Sequence, residues 1–169
     1  MNEQQWTFVD RSDWESGEWD NEPDKVQWTD EATRLVCMAH RGPMGNWCGY
    51  VGVPPAHPLY AIDYSVVQDK APIDVHGGLT YAEHCQPNHD PITGRGVCHI
   101  PEPGEPDDLW WLGFDCGHAF DLQPGLRARL KLMRDEFDLS FRTDFEQYRT
   151  LDYVRKQAAY LAAQLAELA

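Results

Sequence analysis

Residues 25–53 read KVQWTDEATRLVCMAHRGPMGNWCGYVGV, and the fold follows from how this stretch is parsed. Residues 33–40 and 47–53 carry the β-branched, aromatic and apolar content of strands, and Arg41-Gly42-Pro43-Met44-Gly45 between them holds the glycines and proline of a turn. The pattern predicts an antiparallel hairpin. Pro54, Pro55 and Pro58 then end the second strand, since proline offers no N–H to a ladder and fixes its own φ, and they leave His57 on a rigid turn.

Downstream of the hairpin, residues 73–76 read as a short strand that Gly77-Gly78 breaks before residues 79–85. Residues 86–108 are dense in Pro, Gly, Asp and Asn and predict a long connection, either functional or tied down by something other than a core, a metal ion for instance. Residues 109–116 (LWWLGFDC) have the content of a buried central strand, which delivers Asp115, Cys116 and His118 at or just beyond its C-terminal end. Thr143 with Glu146 fits a capping box. From Leu151 the apolar positions Leu151, Val154, Ala158, Leu161, Leu165 and Leu168 recur at spacings of three and four, the mark of an amphipathic helix. That seam can pack on the sheet, or pair with a copy of itself in a homodimer. Residues 1–24, with Trp6, Phe8, Trp14 and Trp19 among many acids, form an aromatic and acidic N-terminal arm, and residues 25–169 a single domain. The expected class is α+β, a mainly antiparallel sheet closed by the amphipathic C-terminal helix.

At 169 residues and 42% hydrophobic content the chain can bury a core without disulfide staples. No apolar run approaches the ~20 residues of a membrane helix, so no membrane partner is expected. The start, MNEQQWTFVD, has neither a basic nor an apolar leader region, which points to the reducing cytoplasm. The five cysteines therefore read as thiols or metal ligands rather than as a disulfide framework. Twenty-eight acidic residues against fourteen basic give a charge of −14, which repels a phosphate backbone and argues against direct nucleic-acid binding. Two exceptions stay open. A local arginine with backbone amides can still hold a small phosphorylated ligand, and an acidic face can compete with nucleic acid for a basic protein.

All seven histidines and five cysteines fall between Cys37 and His118, which puts any chemistry in the middle of the chain. In His76-Gly77-Gly78-Leu79-Thr80-Tyr81 the glycines uncover the imidazole and offer amides to an anionic oxygen, with hydroxyls nearby. A histidine's ordinary pKa of ~6.5 suits proton transfer at neutral pH. In WWLGFDCGHAFD, residues 110–121, Asp115 or Asp121 can orient a histidine for catalysis or metal binding. Cys116 is disfavoured as a nucleophile, because acidic neighbours raise a thiol's pKa. The candidate catalytic residues are accordingly His76, His57, Thr80, Asp115 and His118. Tyr50, Tyr81 and Trp111 supply flat walls for stacking a planar ring, and Arg149 supplies a fork for phosphate. The candidate metal ligands are Cys85, Cys98, Cys116 and His118, with zinc the suitable ion. Adjacent strand residues point to opposite faces, so only one of Cys98 and His99 is expected in a single site.

Taken together, WCGYVGVPPAHP (residues 47–58), HGGLTYA (76–82), WWLGFDCGHAFD (110–121) and YRTLDYV (148–154) resemble a family of small proteins encoded by bacteriophages and prophages. The resemblance covers roughly residues 23–165 and implies a setting rather than a reaction: an accessory protein in the cytoplasm of an infected bacterium, countering host defence. The expectation is one pocket where residues 46–60, 74–85 and 110–121 converge, binding a small phosphorylated, nucleotide-like ligand with or without hydrolysing it. The competing expectations are an acidic, nucleic-acid-mimicking inhibitor of a host defence protein, with the histidines structural, and a zinc-stabilised structural protein.

Overall fold

The computed structural model describes residues 3–137 and 145–169. Its strands are β1 (Gln4–Trp6), β2 (Lys25–Thr29), β3 (Val36–Arg41), β4 (Trp47–Val53), β5 (Tyr81–Glu83) and β6 (Trp110–Asp115). They form one antiparallel six-stranded sheet in the order β1-β2-β3-β4-β6-β5. The helices are α1 (Tyr64–Lys70), α2 (Pro124–Phe137) and α3 (Leu151–Glu167). The class is α+β, as the strand patterning and the C-terminal helix imply.

The hairpin is present as β3 and β4, paired from Val36↔Gly52 to Arg41↔Trp47 and closed by Gly42 N–H to the Asn46 carbonyl at 2.8 Å. It starts at Val36 rather than Thr33. The Asp30 carboxylate accepts from the Thr33 amide and hydroxyl at 2.9 and 2.8 Å, and Arg34 takes φ 65°, so residues 30–35 turn instead of extending. Residues 73–76, expected as a strand, pair with no strand among the described residues. Side-chain amides of α3 satisfy this backbone instead: Gln164 Oε1 takes the Asp74 N–H, its Nε2 donates to the Asp74 carbonyl, and Gln157 Oε1 takes the His76 N–H, at 2.8–2.9 Å.

Period-two alternation splits the central strands between two cores. Trp47, Val51, Val53, Cys37, Ala39, Leu112 and Phe114 face α3, whereas Met38, Tyr50 and Trp111 face Val97 and Cys85 of the long connection. The α3 seam packs on the sheet within one chain: Val154, Ala158, Leu161 and Leu165 are fully buried. Each buried leucine or valine there contributes about 1.5–3 kcal/mol. A homodimer built on that seam would compete with this packing. Thr143 of the expected capping box lies outside the described residues; α3 starts at Leu151, with Thr150 Oγ1 accepting from the Tyr153 amide. The N-terminal stretch contributes β1 to the sheet edge, and Trp19 joins the core under α3.

No helix among the described residues is long and apolar enough to cross a membrane.

Candidate functional site

Three separate elements bring polar side chains together at one end of the sheet. The segment before Gly77, pinned to α3 through Gln157, presents His76. The turn leaving β6 presents His118 and Asp121, and a parallel bridge between Asp121 and Gln147 carries Arg149 alongside. The first turn of α3 presents Tyr153.

Asp121 is the hub. Its Oδ2 lies 2.8 Å from His76 Nε2, 3.6 Å from His118 Nδ1 and 3.1 Å from the His118 amide that donates to it, and its Oδ1 accepts from Arg149 Nε at 2.8 Å. Burial alone pushes the Asp121 carboxyl up, but hydrogen bonds from Arg149 and His76 outweigh it and hold the group below the ordinary range. With Asp121 ionised, His76 Nε2–H donates to it and Nδ1, 2.9 Å from the Tyr153 hydroxyl, accepts from that group. A hydroxyl can also accept, so Tyr153 serves either tautomer of His76. The side chains of His76 and Asp121 are 13% and 2% exposed, and that of His118 is 40%. His118 is therefore the group a ligand meets first. The Asp115 carboxylate, 3.9 Å from His118 Nδ1, is engaged by the Gly117 amide at 2.9 Å.

One ligand atom each from His76, His118 and Asp121 lies within 4.8 Å of the others, the spacing of a three-residue metal centre. Two imidazoles and a carboxylate suit a first-row divalent ion, and three protein ligands leave coordination positions open. Exposed Phe120 sits within the same turn, its ring 6.0 Å from that of exposed Phe145.

Of the expected site residues, then, His76, His118 and Arg149 converge, with Asp115 at the margin. Arg149 is spent on Asp121 and Gln147 rather than held in reserve for phosphate. His57 lies elsewhere: Leu59 N–H donates to its Nδ1, which leaves Nε2–H to donate to the Leu165 carbonyl at 2.9 Å, so the ring clamps the end of α3. Thr80 gives its amide to Gly113 at the start of β5, and its hydroxyl bonds to no member of the cluster among the described residues. Tyr50 and Trp111, 7% and 0% exposed, form the core on the opposite face of the sheet with Tyr81 packed against them, and cannot stack a ligand at His76. Tyr153 and Phe120 were absent from the sequence reading. Phe120 could have been found from its place between His118 and Asp121, but nothing local marks Tyr153, which meets His76 across 77 positions.

The expected metal set Cys85, Cys98, Cys116 and His118 does not assemble. Cys85 and Cys98 form a disulfide beneath the face opposite α3, whereas Cys116 points into the α3 core, its thiol pushed up first by burial and then by Asp121. The disulfide also corrects the expectation that the five cysteines are thiols or metal ligands rather than disulfide partners; Cys37, Cys48 and Cys116 are free. A different group gathers at the disulfide: Cys85, Cys98, His99 and Asp107 place their ligand atoms within 4.8 Å of one another. Cys98 and His99 both reach it because residues 98–99 are irregular rather than a strand.

No family model matches the chain, and neither a curated protein nor a solved structure shows significant similarity to it.

Proposed function

We propose that His76, His118 and Asp121 hold a divalent metal ion at which the protein binds a small phosphorylated, nucleotide-like ligand. The observation that carries this reading is the cluster itself: three ligand atoms within 4.8 Å, one from the segment before Gly77 and two from the turn after β6, with Tyr153 holding the far nitrogen of His76 and Arg149 the far oxygen of Asp121. Such outer contacts fix ligand orientation in metal sites. Electrostatics favour the same reading. Without an ion, Asp121 and Asp115 outnumber Arg149, in a chain of charge −14 that repels phosphate. A divalent ion on one carboxylate and two neutral imidazoles leaves about one positive charge and an open position for a phosphate oxygen or a water.

In this reading Phe120 and Phe145 take the place of Tyr50, Tyr81 and Trp111 as the rings available to a base. Hydrolysis would follow where the bound water is activated. The biological role is that of an accessory protein of a bacterial virus that removes a host nucleotide signal. Calorimetry tests it: titrate Zn2+ or Mn2+, then a panel of mono-, di- and cyclic nucleotides, into the wild type and His118→Ala. The expected result is metal-dependent binding of at least one nucleotide, lost in His118→Ala. Folded wild-type protein that takes up neither metal nor any nucleotide ends the proposal.

A further inference from the structure

The Cys85–Cys98 disulfide has a neighbour that a disulfide does not account for. The Asp107 carboxylate lies 3.0 Å from Cys85 Sγ and 3.4 and 3.6 Å from Cys98 Sγ. Disulfide sulfurs carry no hydrogen to donate, and their lone pairs face the carboxylate's negative charge. A second unexplained group stands beside them. His99 Nδ1 is buried without a hydrogen-bond partner on a side chain 3% exposed, 3.6 Å from Asp107 Oδ1. An orphaned buried nitrogen costs free energy, about 1–3 kcal/mol, unless something fills the gap. A cation at the centre of the four groups answers both observations.

We infer that Cys85, Cys98, His99 and Asp107 are the four ligands of a zinc-class metal site, and that the disulfide is its oxidised, metal-free form. Two thiolates, an imidazole and a carboxylate make the closed four-ligand set of a structural zinc centre. The surroundings suit thiolates: Trp111 Nε1–H points at Cys85 Sγ from 3.4 Å, and Lys25 Nζ donates to the Cys98 carbonyl at 2.6 Å. Gln27 clamps the backbone of Ile100 through both ends of its amide, which holds the segment bearing Cys98 and His99 on the sheet. The position also suits the fold, because the site sits at the root of a connection of some two dozen residues that has little core of its own. An open cleft of about 450 Å³, lined by Tyr60, His84, His89 and Asp107 among others, leads to Cys85 and gives a reductant or an ion a route in.

The exchange balances. A dithiol reductant gives two electrons and two protons to the Cys85–Cys98 bond and leaves as its own cyclic disulfide. The two thiols formed lose those protons as the divalent ion binds.

Cobalt is the probe, because thiolate ligation gives a sulfur-to-cobalt charge-transfer band that the His76 cluster, which has no sulfur ligand, cannot give. In a His118→Ala background, the full chain is reduced with a dithiol, freed of it anaerobically and titrated with Co2+. Expected are five titratable thiols in place of three, one Co2+ per chain with the band, and a weakened band in Cys98→Ser, which keeps the Cys85 thiolate alone. Because Cys98 is buried and its variant can misfold, the exposed Asp107→Asn is the second arm, with Co2+ affinity falling at least ~10-fold. Five thiols without the band, an unchanged affinity in Asp107→Asn, or a disulfide that native dithiol treatment cannot open would each overturn the assignment.

Discussion

Gly77 lies directly against the imidazole of His118: a β-carbon at position 77 would stand 2.1 Å from His118 Cε1. The residue also takes φ +67°, so its lack of a side chain both permits the turn and seats the ring. Gly77→Ala should cost about 1–2 kcal/mol for the left-handed backbone and, in addition, displace His118. Gly78→Ala is the matched control. Its φ is +82°, but the added carbon meets only the movable end of Gln68. The backbone cost is common to both, so a loss in denaturant stability at least as large in Gly77→Ala, with metal affinity lowered ~10-fold or more in Gly77→Ala alone, is expected. Equal metal affinities in the two variants would detach His118 from the metal centre.

Asp121 gives a pH-dependent prediction. Its carboxyl is depressed in the folded chain, so its contribution to stability is fully present above the unfolded pKa of ~3.9 and is lost as pH falls through the lower folded value. Asp121→Asn leaves Arg149 and His76 facing a neutral amide and should cost about 3 kcal/mol at pH 7. The gap between wild type and variant should be constant down to about pH 4 and narrow below it. Urea unfolding of both proteins at pH 7, 5 and 3 checks this; a gap independent of pH would mean that the charge of Asp121 does not carry its effect.

The contrast between His76 and His57 marks how far the sequence reaches. Strands 36–41, 47–53 and 110–115 and the α3 seam were legible because alternation and three-four spacing are local signals. The turn from Asp115 to Asp121 was legible as chemistry because its polar groups are close in sequence. The sequence groups His57, on its proline-stiffened turn, with His76 as a catalytic candidate. Only the long-range arrival of the Leu165 carbonyl makes it a clamp, and no spacing within residues 47–58 encodes that. Helix α2 carries a signal of the same kind as the α3 seam, Leu126, Leu130, Met133 and Phe137 at spacings of four and three, and was missed all the same; Met133 and Phe137 of that seam are exposed in the fold. Tyr50 and Trp111 were misplaced because an aromatic strand residue looks the same whichever face it covers.

His57→Ala turns that contrast into a measurement. Both ring nitrogens are occupied by backbone partners, so removing the ring leaves the Leu59 amide unmatched in a buried place and the Leu165 carbonyl with the Leu168 N–H at 3.1 Å alone. The expected loss is about 1–3 kcal/mol in urea unfolding. Metal and nucleotide affinity, by calorimetry, should stay at wild-type values. A variant as stable as the wild type but impaired in binding would return His57 to the functional site.

A buried charge network joins the N-terminal stretch to the sheet, and it should be where single changes cost most. Arg41, 1% exposed, reaches Asp24 at 3.1 Å, Glu22 at 2.9 Å and the Tyr148 hydroxyl at 2.7 Å, while Arg11 also pairs with Asp24. Glu22 in turn accepts from Trp47 Nε1 at 3.0 Å and from the Leu151 amide at 2.7 Å, so one carboxylate holds β4 and the start of α3. Arg41→Met removes the guanidinium that Asp24 and Glu22 share and leaves Asp24 to Arg11 and Glu22 to its hydrogen bonds from Trp47, Tyr148 and Leu151, which should cost about 3 kcal/mol. Arg41→Lys keeps the charge but lacks the fork that serves these partners at once, and should recover only part of the loss. Arg155→Ala, at a half-exposed pair with Glu3, should barely move the unfolding midpoint. If Arg41→Met and Arg155→Ala unfolded at similar urea concentrations, the network would be no more than surface pairing, and the N-terminal stretch would have to be held by Trp19 packing on Tyr148 instead.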